Sequence, residues 1–207
     1  MLIQPQDRIV FYGDSITDAG RNREQETHLG NGYAHFIGAR LKAKFPQFDL
    51  YTANKGISGN RIYDLEDRLE ADVLALKPTL VSILIGINDT WRKYDSGIES
   101  PIPAFRAAYA RILDRLAAAG SRAVLLEPFL LPQPADRAKW REDLDPRITV
   151  VRDLAWERRL PLLPLDGLFA SAATGTGFPY WLPDGVHPSP AGHGLIAQKW
   201  LELAGAD

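Results

Sequence analysis

Cysteine is absent from the 207-residue chain, which excludes disulfides, a thiol nucleophile and thiolate metal ligands in one step. Long hydrophobic runs are absent as well. The longest, Thr79 to Ile87, falls far short of the roughly 20 residues that cross a bilayer. The opening MLIQPQDRIV has neither a basic region nor a long apolar core, so it does not read as a signal peptide. Nor is there an excess of one charge: 24 Lys and Arg face 26 Asp and Glu, a formal net charge of −2. That leaves no electrostatic footprint for nucleic acid and no basic patch for a membrane surface. The four histidines, His28, His35, His187 and His193, lack metal-ligand spacing. A cytoplasmic chain with a small-molecule partner, no metal and no cofactor is the expectation.

What is present is a 45% hydrophobic composition, enough for one core and a single domain over 1–207. Short β-rich runs alternate with segments of helical period. Strands are expected at Arg8–Tyr12, Phe48–Ala53, Leu80–Ile85, Arg122–Leu126 and Leu162–Leu165. Helices are expected at Tyr33–Phe45, with Phe36, Ile37, Leu41 and Phe45 on one side, and at Tyr63–Leu76, Ala104–Ala119 and Ala191–Leu203. The region Ala135–Arg159 should be helical and broken near Pro146. Thr174–Gly185 reads as an irregular binding loop. Five strands separated by helices predict a parallel sheet with helices on both faces.

In such a sheet, ligands gather beyond the carboxyl ends of the strands. Ser15 follows the first strand there, although Gly-Asp-Ser after a strand is also an ordinary helix cap. Asp184 and His187, with two residues between them, can set a carboxylate on one ring nitrogen and leave the other for a neighbour; a turn with a loop histidine is the plainer alternative. Gly56 and Asn88 follow the second and third strands. A bare amide and a side-chain amide would suit a developing oxyanion together with the Ser15 N–H, or would simply make turns. Together these residues assemble a nucleophile, a base with its acid, and donors at one sheet edge. A non-catalytic flavodoxin-like nucleotide binder fits less well, because no G-x-G-x-x-G and no Walker lysine loop follows the first strand.

The chain resembles the SGNH, or GDSL-type, serine hydrolases. Gly13-Asp14-Ser15-Ile16-Thr17 is similar to their first block and Lys55-Gly56-Ile57-Ser58-Gly59-Asn60 to their second. Gly86-Ile87-Asn88-Asp89 is similar to the third, and Asp184-Gly185-Val186-His187-Pro188 to the last. The resemblance implies a flavodoxin-like three-layer α/β/α sandwich with a five-stranded parallel sheet. It also implies a Ser15–His187–Asp184 triad, an oxyanion hole of Ser15, Gly56 and Asn88, and no cofactor. Within the family, the Asn88-to-Asp95 stretch and the extended Gly13-to-Arg21 block look like those of bacterial carbohydrate acetylesterases, including acetylxylan esterases. Asp14, Asn60, Trp91, Tyr94, Tyr180 and Trp181 are then the residues expected at the substrate, here a small ester such as an acetylated sugar. A lysophospholipase or thioesterase is the alternative within the family. The resemblance further suggests a homo-oligomer.

Overall fold

The direction of alternate side chains sets the layers. Along the first strand, β1 (Arg8–Gly13), Ile9 and Phe11 join one core cluster and Val10 and Tyr12 the other, and all four are fully buried. A strand apolar on both faces has to be covered twice. The computed structural model, which describes residues 2–207, meets that demand. Strands β2 (Tyr51–Gly56), β3 (Leu80–Leu84), β4 (Arg122–Leu126) and β5 (Leu162–Leu163) join β1 in a five-stranded, all-parallel sheet of order β2-β1-β3-β4-β5. This is the α/β sandwich expected from the sequence.

The helices are α1 (Ser15–Asp18), α2 (Tyr33–Lys44), α3 (Ile62–Asp72), α4 (Ile87–Ser96) and α5 (Ile102–Ala118). They continue as α6 (Arg141–Arg158), α7 (Leu165–Thr176), α8 (Phe178–Trp181) and α9 (Pro190–Ala204). Buried residues of α2, α7 and α9 cluster with Phe11, while those of α3 and α5 cluster with Tyr12. The chain leaves β1 for β2 on one side and returns to β3 on the other. The sheet order therefore reverses at β1, and the strand ends open a crevice there.

Several local expectations are corrected. The second strand starts at Tyr51, because Pro46–Phe48 forms a 3₁₀ turn and Asp49, at φ 50°, swings the chain before pairing begins. Phe36 is 37% exposed; the buried stripe of α2 runs through Tyr33, Ala34, Ile37 and Leu41. Pro146 does not break α6, which runs through it for 18 residues. Both Pro146 and Glu142, whose carbonyl loses its helical donor, lie on the exposed side, where that carbonyl can be hydrated. Leu165 leaves the fifth strand to open α7, in which Leu165, Phe169 and Ala173 recur every four residues on the buried side. Helix α7 and the single turn of α8 take up much of the stretch expected to be irregular.

Candidate active site

The first contribution comes from the turn between β1 and α1. Gly13 has no room for a side chain: a Cβ would lie 2.3 Å from Thr17 Oγ1 and 2.4 Å from Leu84 O. The chain can therefore turn at once, and Asp14 caps α1 by accepting the Ile16 N–H at 3.0 Å. Ser15 becomes the first residue of the helix, where its own N–H has no intrahelical acceptor. Capping and placement of the serine are one arrangement, so the two readings of Gly-Asp-Ser do not compete.

The second contribution is the Asp184–His187 turn just ahead of α9, which Ser189 caps through the Gly192 N–H. Asp184 Oδ1 accepts the N–H groups of Val186 at 3.0 Å and His187 at 2.7 Å. Asp184 Oδ2 lies 2.7 Å from His187 Nδ1, and His187 Nε2 lies 3.0 Å from Ser15 Oγ. With the carboxylate on Nδ1, that nitrogen carries the ring proton, and Nε2 is left to accept from the serine hydroxyl. Burial opposes ionisation of Asp184, but the hydrogen bonds from the His187 ring and the two backbone amides outweigh it. They hold the carboxyl well below the usual carboxylate range. His187 moves the other way: its hydrogen bond to Asp184 raises it above the ordinary 6.5, against partial burial.

The donors are where the structure departs most from the sequence reading. Gly56 was expected to offer its amide, but that N–H goes to Asn54 Oδ1 at 2.8 Å. Its missing side chain serves packing instead, since a Cβ would sit 2.2 Å from Asp18 N and drive α1 off β2. The glycine with a free, exposed amide on this loop is Gly59, at φ 84°. Asn88 is nearly buried, and its Nδ2 donates to Asn60 O at 3.1 Å. One of its two amide hydrogens is thereby fixed and the other left over. The loop is pinned beside Ser15 at its start, where the Ile57 N–H meets Gly13 O at 3.1 Å.

The expected substrate contacts divide. Asp14 is fully buried and offers no surface to a ligand. Asn60 braces the loops, its Oδ1 accepting from Arg68 at 2.8 Å and its carbonyl from Asn88. Trp91 is brought to the triad, with ring centroids 5.8 Å from those of His187. Tyr94 turns away to stack on Trp140 and donates to Glu142 at 2.8 Å. Tyr180, 56% exposed, packs edge-on against Trp181, whose indole N–H goes to Thr176 Oγ1 at 2.7 Å.

Three supporting residues escaped the sequence reading. Arg68 donates to Gly13 O at 3.0 Å and Lys55 O at 2.8 Å, clamping the carbonyl ends of β1 and β2. Asn54, fully buried, ties the Thr17 and Leu29 carbonyls together at 2.6 and 2.8 Å. Arg137 stacks over Trp91, its guanidinium carbon 4.4 Å from the ring centre. All three act through contacts between distant segments, which leave no local motif. Among the described residues, no three His, Cys, Asp or Glu are grouped to hold a metal.

Asp14 also sets a pH expectation. Burial pushes its carboxyl up to about 7, Oδ2 has no partner, and its charge is one of those that raise His187. Catalysis by a neutral imidazole fades as pH falls through the His187 pKa, so the acid limb should lie above 6.5. Asp14→Asn keeps the cap and removes the charge, so the limb should move to lower pH. The same titration acts on stability. The Asp14 contribution is complete below its unfolded value of 3.8 and is lost as pH rises through about 7. The asparagine variant should therefore lose less stability than wild type between acid and alkaline pH. Superimposable pH–rate profiles would show that Asp14 is not felt at His187.

Comparison with known proteins shows the family. The GDSL-like lipase/acylhydrolase family matches residues 11–195. An acetylxylan esterase from Geobacillus stearothermophilus is 35% identical over 214 residues, covering 99% of this chain and 97% of the relative. A crystal structure of an acetylxylan esterase from the same organism superposes with a TM-score of 0.91 at 33% identity, covering 99% and 97% of the two chains. An α/β hydrolase enzyme from the metagenome of Lake Arreo, Spain, superposes at 0.92 with 30% identity, covering 100% and 98%. Ser15, His187 and Asp184 are hydrogen-bonded in series at the sheet's switch point, and the family match runs from the first strand into the last helix. The chain belongs to the GDSL-like lipase/acylhydrolase family and is a carboxylic ester hydrolase.

Proposed function

We propose that this protein is a serine esterase that removes acetyl groups from carbohydrate esters such as acetylated xylo-oligosaccharides. The observation that carries the reading is the continuous hydrogen-bonded path from Ser15 Oγ to His187 Nε2, 3.0 Å, and from His187 Nδ1 to Asp184 Oδ2, 2.7 Å. His187 takes the Ser15 proton as Oγ attacks the acetyl carbonyl. Asp184 holds the ring tautomer and stabilises the imidazolium. The oxyanion is met by the Ser15 N–H, the Gly59 N–H and the uncommitted hydrogen of Asn88 Nδ2. His187 then protonates the departing sugar oxygen, which leaves as the free hydroxyl. In the second half, His187 deprotonates a water that attacks the acyl-enzyme, and acetate leaves as Ser15 recovers its proton. Each proton is returned, so the cycle needs no cofactor.

The openness of the site favours a short acyl group. The side chains of His187 and Asp184 are 44% and 40% exposed, so a long chain would lie in water rather than in a tunnel. A cavity of about 650 Å³ by Trp156 and Leu160, and an apolar one of about 340 Å³ by Phe36 and Leu201, include no triad residue. The likeness to acetylxylan esterases over nearly the whole chain supports the sugar part of the reading. No described helix is long and apolar enough to cross a membrane.

The test compares wild type with Ser15→Ala on p-nitrophenyl acetate, p-nitrophenyl octanoate and an acetylated xylo-oligosaccharide. The expected result is efficient cleavage of both acetyl substrates, at least about 10-fold poorer octanoate turnover, and loss of about 10⁴-fold or more in the folded variant. Fast octanoate or acyl-thioester turnover with untouched sugar acetates would replace the reading with a lipolytic or thioesterase one.

A further inference from the structure

The triad has an arginine beside it that the acetyl-transfer cycle leaves without a task. Arg137 lies in the 3₁₀ stretch Ala135–Trp140 between β4 and α6. Its guanidinium lies against a pair of touching indoles, with its carbon 4.4 Å from the Trp91 ring centre and 4.6 Å from that of Trp140. Trp91 is in turn the ring that packs against His187, 5.8 Å between centroids. The cation therefore sits one aromatic ring from the catalytic base, and its charge is felt there, opposing protonation of His187.

Stacking satisfies the flat faces of a guanidinium, not its in-plane N–H edge. Arg137 Nη1 is buried and has no hydrogen-bond partner. Arg137 is in no ion pair among the described residues, while Asp143 is committed to Arg147 and Lys93, Asp145 and Asp166 to Arg141, and Glu142 to Tyr94. The contrast with other arginines is informative. Arg8 and Arg21 donate to the carbonyls of Leu76 and Gly56, and Arg40 and Arg159 are exposed. Arg137 is half-buried, oriented by two rings and short of an acceptor. The rest of the half-buried fork makes no hydrogen bond to the protein either, and an accessible planar fork beside a reaction centre suits a carboxylate on the substrate.

We propose that Arg137 forms a binding subsite for a carboxylate on the alcohol half of the ester, as a uronic-acid substituent on an acetylated oligosaccharide would supply. The inference rests on the esterase reading for its place in catalysis, but the subsite can be measured without turnover. Wild type should cleave acetylated xylo-oligosaccharides that carry a uronic-acid branch better than neutral ones. In Arg137→Gln, the ratio of kcat/KM on acidic over neutral oligosaccharide should fall about 10- to 100-fold, mostly through KM, the size of one lost charge-assisted hydrogen bond. Arg137→Lys, which keeps the charge but not the fork, should recover part of that ratio.

Calorimetry supplies the independent readout on the catalytically dead Ser15→Ala protein. The methyl glycoside of glucuronic acid should bind and methyl xyloside should bind more weakly, with the difference abolished by Arg137→Gln. If no ester is hydrolysed but this binding difference is found, the subsite stands and the esterase reading falls. Equal losses on acidic and neutral substrates, or equal binding of the two glycosides, would overturn the subsite and leave Arg137 a packing residue for Trp91 and Trp140.

Discussion

His187→Ala is expected to lower kcat on acetyl esters by about 10⁴- to 10⁶-fold while the protein keeps its fold. Nothing else in the site can take the Ser15 proton. Asp184 reaches the serine only through the imidazole, and Asp14, although adjacent in sequence, is buried with one oxygen engaged by Ile16. The fold should survive because the turn does not depend on the ring. Asp184 still accepts the backbone N–H groups of residues 186 and 187. Single-turnover kinetics with p-nitrophenyl acetate, run beside a thermal melt, check both halves. A loss smaller than about 100-fold in a well-folded variant would mean that another base serves, and the proposed mechanism would have to be abandoned.

Arg147→Met carries the largest expected effect on stability, a loss of about 3–5 kcal/mol. Arg147 is completely buried, and its guanidinium donates to Asp143 at 2.9 Å, to Ser100 O at 2.6 Å and to Thr90 Oγ1 at 3.2 Å. Removing it leaves the Asp143 carboxylate, only 11% exposed, with Lys93 at 3.3 Å as its remaining cation. The damage should reach the site through Ser100. That hydroxyl donates to Asp89 at 2.9 Å, and the other oxygen of Asp89 takes the first N–H of α3, from Ile62, at 3.1 Å. Asp89 follows Asn88, so loosening it loosens the proposed oxyanion donor. Urea denaturation should show a lower midpoint at unchanged slope, accompanied by reduced kcat. A second change, Asp143→Leu, should restore much of the stability, since the penalty lies in the orphaned charge. A loss below about 1 kcal/mol would show that water replaces the guanidinium.

Those two predictions draw on residues of very different visibility. That Ser15, Asn88, Asp184 and His187 lie at one sheet edge was legible in the sequence because each follows a strand or stands just ahead of a helix, where local chain signals are strong. The sheet and its layers were visible for the same reason: branched apolar runs such as Leu80–Leu84 have few other uses. Gly56 was misread because a glycine in a loop can serve either an exposed amide or a close packing contact, and only the approach of Asp18 decides between them. Pro146 was misread because a proline's cost depends on whether the orphaned carbonyl faces solvent. Arg68, Arg137 and Arg147 could not have been found at all. Their partners lie in other segments, and an arginine in a charged helix looks the same whether it is solvated or buried.

The hydrogen bond between Ser15 and His187 joins residues 172 positions apart, and that separation orders events in time. The base stands just ahead of α9, whose Trp200 is buried against the sheet with its indole N–H on Ser82 Oγ at 3.1 Å. Contacts of such long range close late and slowly. Ester cleavage therefore requires this last helix to be docked as well as the sheet to be formed. Recovery of hydrolysis during refolding is thus a clock for that docking step. It should lag the return of helical signal rather than track it.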